Sequence, residues 1–181
     1  MLAVRQRSPA VQLVRRGALV LAGSVLMYVS AQIAVPAWPV PVTLQTLAIP
    51  VLVALLGRDL ATGAVAAYLV EGALGLPVFS GHAGGFAVLL GPTAGYLVGF
   101  PLAAYEIGTL YRAGLERSYA ARFVAVFLGT ALVFVTGAAW LDVALTHNAA
   151  RALALGVTPF IIGDLAKCLI AAALPARSAA R

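Results

Sequence analysis

The run Gly17-Ala18-Leu19-Val20-Leu21-Ala22-Gly23-Ser24-Val25-Leu26-Met27-Tyr28-Val29-Ser30-Ala31-Gln32-Ile33-Ala34-Val35 decides what kind of protein this is. It carries no formal charge and follows a basic leader, Met1 to Arg16, as the apolar part of a signal peptide would. A secretory signal holds only about 7–15 apolar residues, whereas a bilayer-spanning helix needs about 20. The run is long enough to be a retained first span. The rest of the chain agrees: 62% of its 181 residues are hydrophobic and 10% are charged, against roughly 45–50% and about 25% in soluble domains. The mean hydropathy is +1.00. A water-soluble globular protein is excluded on composition alone.

Five further apolar segments follow. The six spans are drawn at about 17–35, 43–56, 60–75, 92–110, 123–144 and 159–174, forming a single transmembrane domain over residues 1–181. The fold class is an all-α integral membrane bundle of six helices. The semi-polar stretch from Thr146 to Val157 reads as a short surface helix, and Thr158-Pro159 reads as the N-cap and first position of the last span. Charge sets the orientation. With a cytoplasmic N-terminus, Arg5, Arg7, Arg15, Arg16, Arg58, Arg112, Arg117, Arg122, Arg177 and Arg181 fall inside, while Arg151 falls outside. Short cytoplasmic loops carry an excess of Lys and Arg, so both termini are expected in the cytoplasm.

The 12 basic residues against 6 acidic ones give a net charge of +6, yet the bases sit singly between apolar runs. Nucleic-acid binding needs them clustered on a folded surface, so no nucleic acid is expected. One cysteine, Cys168, allows no internal disulfide framework and no multi-cysteine metal site. The chain's one lysine follows Ala166, so no phosphate-binding P-loop exists. Metal, cofactor and enzymatic activity are not expected; Ser80 beside His82 is a weak nucleophile–base pair.

Ionisable residues inside the apolar segments stand out: Glu71, Glu106, Asp142, Asp164 and Lys167. Each costs at least about 2.5–3.5 kcal/mol at mid-bilayer unless it has a partner, a cavity or a task. Asp164 and Lys167 are neighbours on one helix face. They either neutralise each other for insertion or present an acceptor and a donor to a polar ligand. Glu71 has a hydrogen-bonding or a ligand role open to it, whereas Glu106 lies where snorkelling or capping suffices.

Two more polar clusters reach the outer end. Thr43, Gln45 and Thr46 are neutral hydrogen-bonding groups that cap the second helix or meet a ligand. The glycine-rich stretch Gly72 to Phe86 contains the pair Gly84-Gly85, where backbone can approach a ligand and offer N–H groups. Phe79, Phe86 and Tyr96 supply apolar walls. Gly91, Gly95 and Gly99 recur every four residues, which leaves one helix face bare for close helix contact. The convergence of three polar clusters points to capture of a small molecule with polar and apolar parts. The lack of an inverted repeat argues that the energy comes from elsewhere.

Val40-Pro41-Val42-Thr43-Leu44-Gln45-Thr46, Gly75-Leu76-Pro77-Val78-Phe79, Gly84-Gly85, Gly91-Pro92-Thr93 with Gly95-Tyr96-Leu97 and Gly99-Phe100, and Pro159-Phe160 with Gly163-Asp164 and Lys167 occur in this order. Together they resemble the BioY family, the biotin-specific substrate-capture (S) components of energy-coupling-factor (ECF) vitamin transporters. Ala94 departs from that pattern, where glycine is more usual, and so does His82-Ala83. The resemblance implies a multi-pass protein of the bacterial inner membrane with an outward-facing biotin pocket, and homo-oligomers are compatible with it. It implies two partners, a transmembrane coupling (T) protein and a pair of ABC-type ATPases, and it places biotin at Asp164, Lys167, Thr43, Gln45, Phe79, Gly84, Gly85 and Tyr96. Ala18 and Ala22 on the first helix fit the family's partner-docking face. Asp164 is then expected to accept a ureido N–H, and Lys167 to donate to the ureido carbonyl or the valerate carboxylate. Rival readings are an S component for another vitamin, a membrane-embedded enzyme or scaffold, and a passive pore.

Overall fold

The computed structural model describes residues 8–176. Arg5, Arg7, Arg177 and Arg181, which enter the charge asymmetry, lie outside the described residues. The first helix, α1, spans Pro9–Gln32 and begins on a Ser8 cap, with proline at its first turn. A two-residue antiparallel pair, β1 (Ala34–Val35) with β2 (Val42–Thr43), pins the ends of the loop that follows. Then come α2 (Gln45–Leu56), α3 (Arg58–Ala73), α4 (Ala94–Leu110) and α5 (Tyr119–Leu141). A short α6 (Ala149–Gly156) and α7 (Ile161–Ala172) complete the bundle.

Apolar runs place the elements, and local chemistry trims their ends. Gly57 adopts φ 78° and turns the chain between α2 and α3 within one residue. Both α4 and α5 end in a widened π-type turn, over Tyr111–Leu115 and Asp142–Thr146. A short helix, α6, does occupy the stretch from Thr146 to Val157. The last helix begins later than its sequence suggests. Thr158-Pro159-Phe160 forms a separate 3-10 turn, and the Thr158 hydroxyl donates back to the Leu153 carbonyl (3.3 Å) instead of capping α7.

Among the described residues, three stretches are long and apolar enough to cross a membrane: Pro9–Gln32, Tyr119–Thr146 and the nearly continuous Ala149–Ala172. The shorter α2, α3 and α4 lie between them and supply most of the buried interior, including Ile49, Tyr68 and Ile107. The α4–α5 seam is tight because it is built on glycine. A Cβ on Gly95 would lie 2.3 Å from the Trp140 Cβ, and one on Gly99 would lie 2.4 Å from the Thr136 Oγ1. Small residues at such seams let backbones approach and gain dispersion contacts that lipid cannot supply.

The helices run between two ends. At one, the α2–α3 turn meets the α4–α5 link: Arg112 reaches Asp59 at 2.6 Å, and Arg58 Nε reaches the same carboxylate at 2.9 Å. These two hydrogen bonds, that from Arg112 first, hold the Asp59 carboxyl below the usual carboxylate range. At the other end, the loops 33–44, 76–93 and 142–160 gather above the bundle. Trp140 Nε1 donates to the Gly91 carbonyl (2.8 Å), and the Tyr96 hydroxyl donates to the Gly156 carbonyl (2.8 Å).

Candidate functional site

A cavity of about 210 Å³ opens at this loop-rich end. Its polar side is built by the start of α2 and by α7. Thr43, Gln45, Thr46 and Lys167 all line it. Gln45 is buried, and its Nε2 donates to the Tyr68 hydroxyl at 2.9 Å. The Thr43 hydroxyl donates to Gln45 Oε1 (3.1 Å) and accepts the Gln45 backbone N–H (3.4 Å). These groups therefore organise the start of α2 and face the cavity together. The two roles weighed for them are not exclusive.

Lys167 Nζ donates to the Thr43 carbonyl at 2.7 Å and to the Thr46 hydroxyl at 3.1 Å. An ammonium group has three N–H donors, so one remains beyond these two neutral acceptors. No ion pair joins Lys167 to a carboxylate among the described residues. Asp164 and Lys167 are therefore not joined in a direct ion pair. At 3.6 residues per turn, a three-residue step leaves about 60° between side chains, and that angle separates the two across α7. Asp164 is buried, accepts a weak bond from the Cys168 thiol (3.7 Å), and keeps Oδ1 with no hydrogen-bond partner. It lines a second cavity of about 680 Å³ between α5, α6 and α7. That space is walled by Phe127, Val135, Leu153, Ile161 and Leu165, with Asp142 also on its wall. Phe134 lines both cavities.

The apolar side of the first cavity is aromatic. Phe79 arrives from the 76–93 loop and is 2% exposed; its ring stands edge-on to Tyr68, with centroids 5.5 Å apart. Tyr96, Phe134 and Phe160 form a second cluster, with centroid separations of 5.7–6.5 Å. Tyr96 was expected here from sequence. Phe134 was not: a phenylalanine inside an apolar span carries no mark that separates a cavity wall from a lipid-facing residue. Phe100 and Phe160 belong to motifs already quoted and also line the cavity.

Gly84 and Gly85 do not. A Cβ on Gly84 would lie 2.4 Å from the Leu76 carbonyl oxygen, and the Gly85 N–H donates to the Gly72 carbonyl at 2.7 Å. Both glycines allow close backbone approach, Gly84 to Leu76 and Gly85 to Gly72 at the end of α3, and neither is on the cavity lining. Phe86 is exposed and outside the cavity. Glu71 accepts a hydrogen bond from Ser24 on α1 (2.9 Å), which joins α3 to α1 away from the cavity. Ala18 and Ala22 lie exposed on α1.

The BioY family profile matches residues 4–181. The chain belongs to the BioY family. It is 39% identical over 152 residues to the biotin transporter BioY of Thermotoga maritima, covering 84% of this chain and 88% of that one. It is 38% identical over 152 residues to the probable biotin transporter BioY of Pyrococcus horikoshii, with the same coverage of both chains. Among solved structures it resembles the S-component for biotin from an ECF-type ABC transporter, with a TM-score of 0.81 and 26% identity over 92% of this chain and 91% of that one. These relatives are transporters rather than enzymes, and the all-helical bundle is the S-component fold.

Proposed function

We propose that this protein captures biotin in the 210 Å³ cavity and passes it across the bacterial inner membrane. It works with a transmembrane coupling protein and ABC-type ATPases that supply the energy. The observation that carries this reading is Lys167. It is a half-buried cation hydrogen-bonded only to neutral acceptors, with an N–H donor to spare, opening onto a small cavity with aromatic walls. Biotin fits that chemistry, since it pairs an apolar thiophane ring with a ureido carbonyl and two ureido N–H groups. A charge-assisted hydrogen bond to the ureido carbonyl is roughly twice as strong as a neutral one. Ligands without that acceptor leave the donor unpaired and are rejected.

Asp164 enters as the second polar group. Its Oδ1 has no partner, and only the Phe134 ring is common to the two cavities. Seating of the ureido ring turns Phe134 aside and gives Oδ1 a ureido N–H. Thr43 and Gln45 border the head group, while Phe79 and Tyr96 hold the thiophane ring. The valerate tail points to the mouth, where water serves its carboxylate. The chain crosses the bilayer six times with both termini in the cytoplasm, and the exposed Ala18 and Ala22 face the coupling protein. No cofactor takes part, because ATP is consumed by the partner subunits.

The test is equilibrium binding of labelled biotin to the purified, detergent-solubilised chain, beside the Asp164→Asn/Lys167→Gln double variant. Saturable binding lost in the double variant supports the reading. An amide of the valerate group should compete almost as well as biotin, whereas a thione analogue of the ureido group should not. A folded wild type that binds no biotin sinks the substrate and leaves the family's fold to serve another vitamin.

A further inference from the structure

Gln32, the last residue of α1, makes three hydrogen bonds to one loop. Its Nε2 donates to the Val78 carbonyl (3.3 Å) and the Phe79 carbonyl (3.0 Å), and its Oε1 accepts the His82 N–H (3.2 Å). One turn earlier on the same face, the Tyr28 ring sits 6.4 Å from that of His82. The gripped segment is not relaxed. Gly81 has φ 70° and His82 has φ 57°, a left-handed conformation that a residue with a Cβ holds only when its surroundings enforce it. Besides Gln32, the turn is held by Phe79 N–H to the Ala83 carbonyl (2.9 Å), and Gly85 N–H ties the loop to the Gly72 carbonyl of α3 (2.7 Å). Phe79, Ser80 and Ala83, all within the gripped turn, line the candidate ligand cavity, whereas Gln32 does not.

We infer that Gln32 is a positioning residue: it latches the 78–83 turn to α1, so that a captured ligand leaves only when this latch opens. The inference rests on the biotin-capture reading for its ligand, though not for the latch itself. Removing three hydrogen bonds from the closed loop stabilises the open one relatively. Entry and escape both pass through the open form, so weakening the latch speeds both.

The experiment uses the full chain in detergent, as wild type, Gln32→Leu and Gln32→Glu. Hydrogen–deuterium exchange is followed over residues 78–85 without ligand, and biotin association and dissociation rates are measured separately. Gln32→Leu is expected to speed both exchange in this segment and biotin dissociation by at least about tenfold, equivalent to about 1.4 kcal/mol. Association, which passes through the same open form, should rise as well. Gln32→Glu keeps the acceptor for His82 but lacks both donors, so it should protect the His82 amide while still releasing biotin faster than wild type. Lys167→Gln serves as the contrast: it weakens biotin binding without changing exchange in the loop. Unchanged exchange in Gln32→Leu overturns the latch even if the wild type binds no biotin at all. Faster exchange with unchanged biotin dissociation overturns its role in ligand retention.

Discussion

The two ends of the bundle both hold charged side chains, and they satisfy them in opposite ways. At the end formed by the α2–α3 turn, Asp59 is met by Arg58 and Arg112, and Arg58 also lies over the Tyr105 ring at 4.6 Å from its centroid. Each of these three groups has an opposite charge beside it. At the cavity end, Lys167 is met by a carbonyl and a hydroxyl. Ion pairing completes a charged group's requirements. Neutral acceptors hold it in place while leaving its charge uncompensated and open to exchange with a ligand. The first arrangement fastens loops; the second waits for an occupant.

Lys167→Gln should break that contrast with the largest effect. Glutamine still donates to the Thr43 carbonyl, so the bundle is expected to fold with little change in its unfolding temperature. The charge-assisted bond to ligand is lost. Hydrogen bonds to charged groups contribute about 1.5–3 kcal/mol, so biotin affinity should fall roughly ten- to hundredfold. Affinity within twofold of wild type, measured by equilibrium binding, would reduce Lys167 to a structural tie between α7 and the start of α2.

A smaller effect is expected from Thr46→Val, which removes one neutral acceptor and leaves the charge. A net hydrogen bond contributes about 0.5–1.5 kcal/mol. The freed N–H then competes for the ligand, so affinity should change by less than about tenfold, in either direction. A loss as large as that of Lys167→Gln would mean that the hydroxyl, rather than the ammonium, holds the ligand.

How much of this was legible beforehand follows the same division. The apolar runs placed the helices: 43–56 against Gln45–Leu56, and 92–110 against Ala94–Leu110. Hydropathy is a property of the segment itself, and it needs no tertiary information. Thr43, Gln45 and Lys167, which line the cavity, were legible as candidates because a polar group in so apolar a chain is conspicuous. Gly84 and Gly85 lie off the cavity lining for a reason sequence does not resolve. Glycine marks close backbone approach without saying whether a ligand or another strand of chain makes it, and here the Leu76 and Gly72 carbonyls do. The divergence of Asp164 from Lys167 came from a rotation about α7 that a spacing of three leaves open. Gln32 was hidden because its partners are three backbone atoms of a loop some fifty residues away.

The smallest expected effect lies at the ion-paired end and tests the other half of the comparison. Arg112→Gln removes the stronger of the two hydrogen bonds to Asp59, a group two-thirds exposed. Exposed pairs of this kind contribute about 0–1 kcal/mol. Biotin binding should not move, and thermal stability at neutral pH should fall by no more than that. The pH dependence carries the sign. The pairing lowers the Asp59 pKa in the folded state, so its stabilisation is present above the unfolded value, about 3.9, and is lost as pH falls through the folded value. Wild type and Arg112→Gln should therefore differ at pH 7, converge as the medium is acidified below pH ~4, and converge also in high salt, where exposed charges are screened. A gap that persists under acid would mean that Arg112 acts through packing. A loss of biotin binding would mean that the two ends are coupled, and that the ion pairs do more than fasten the turn.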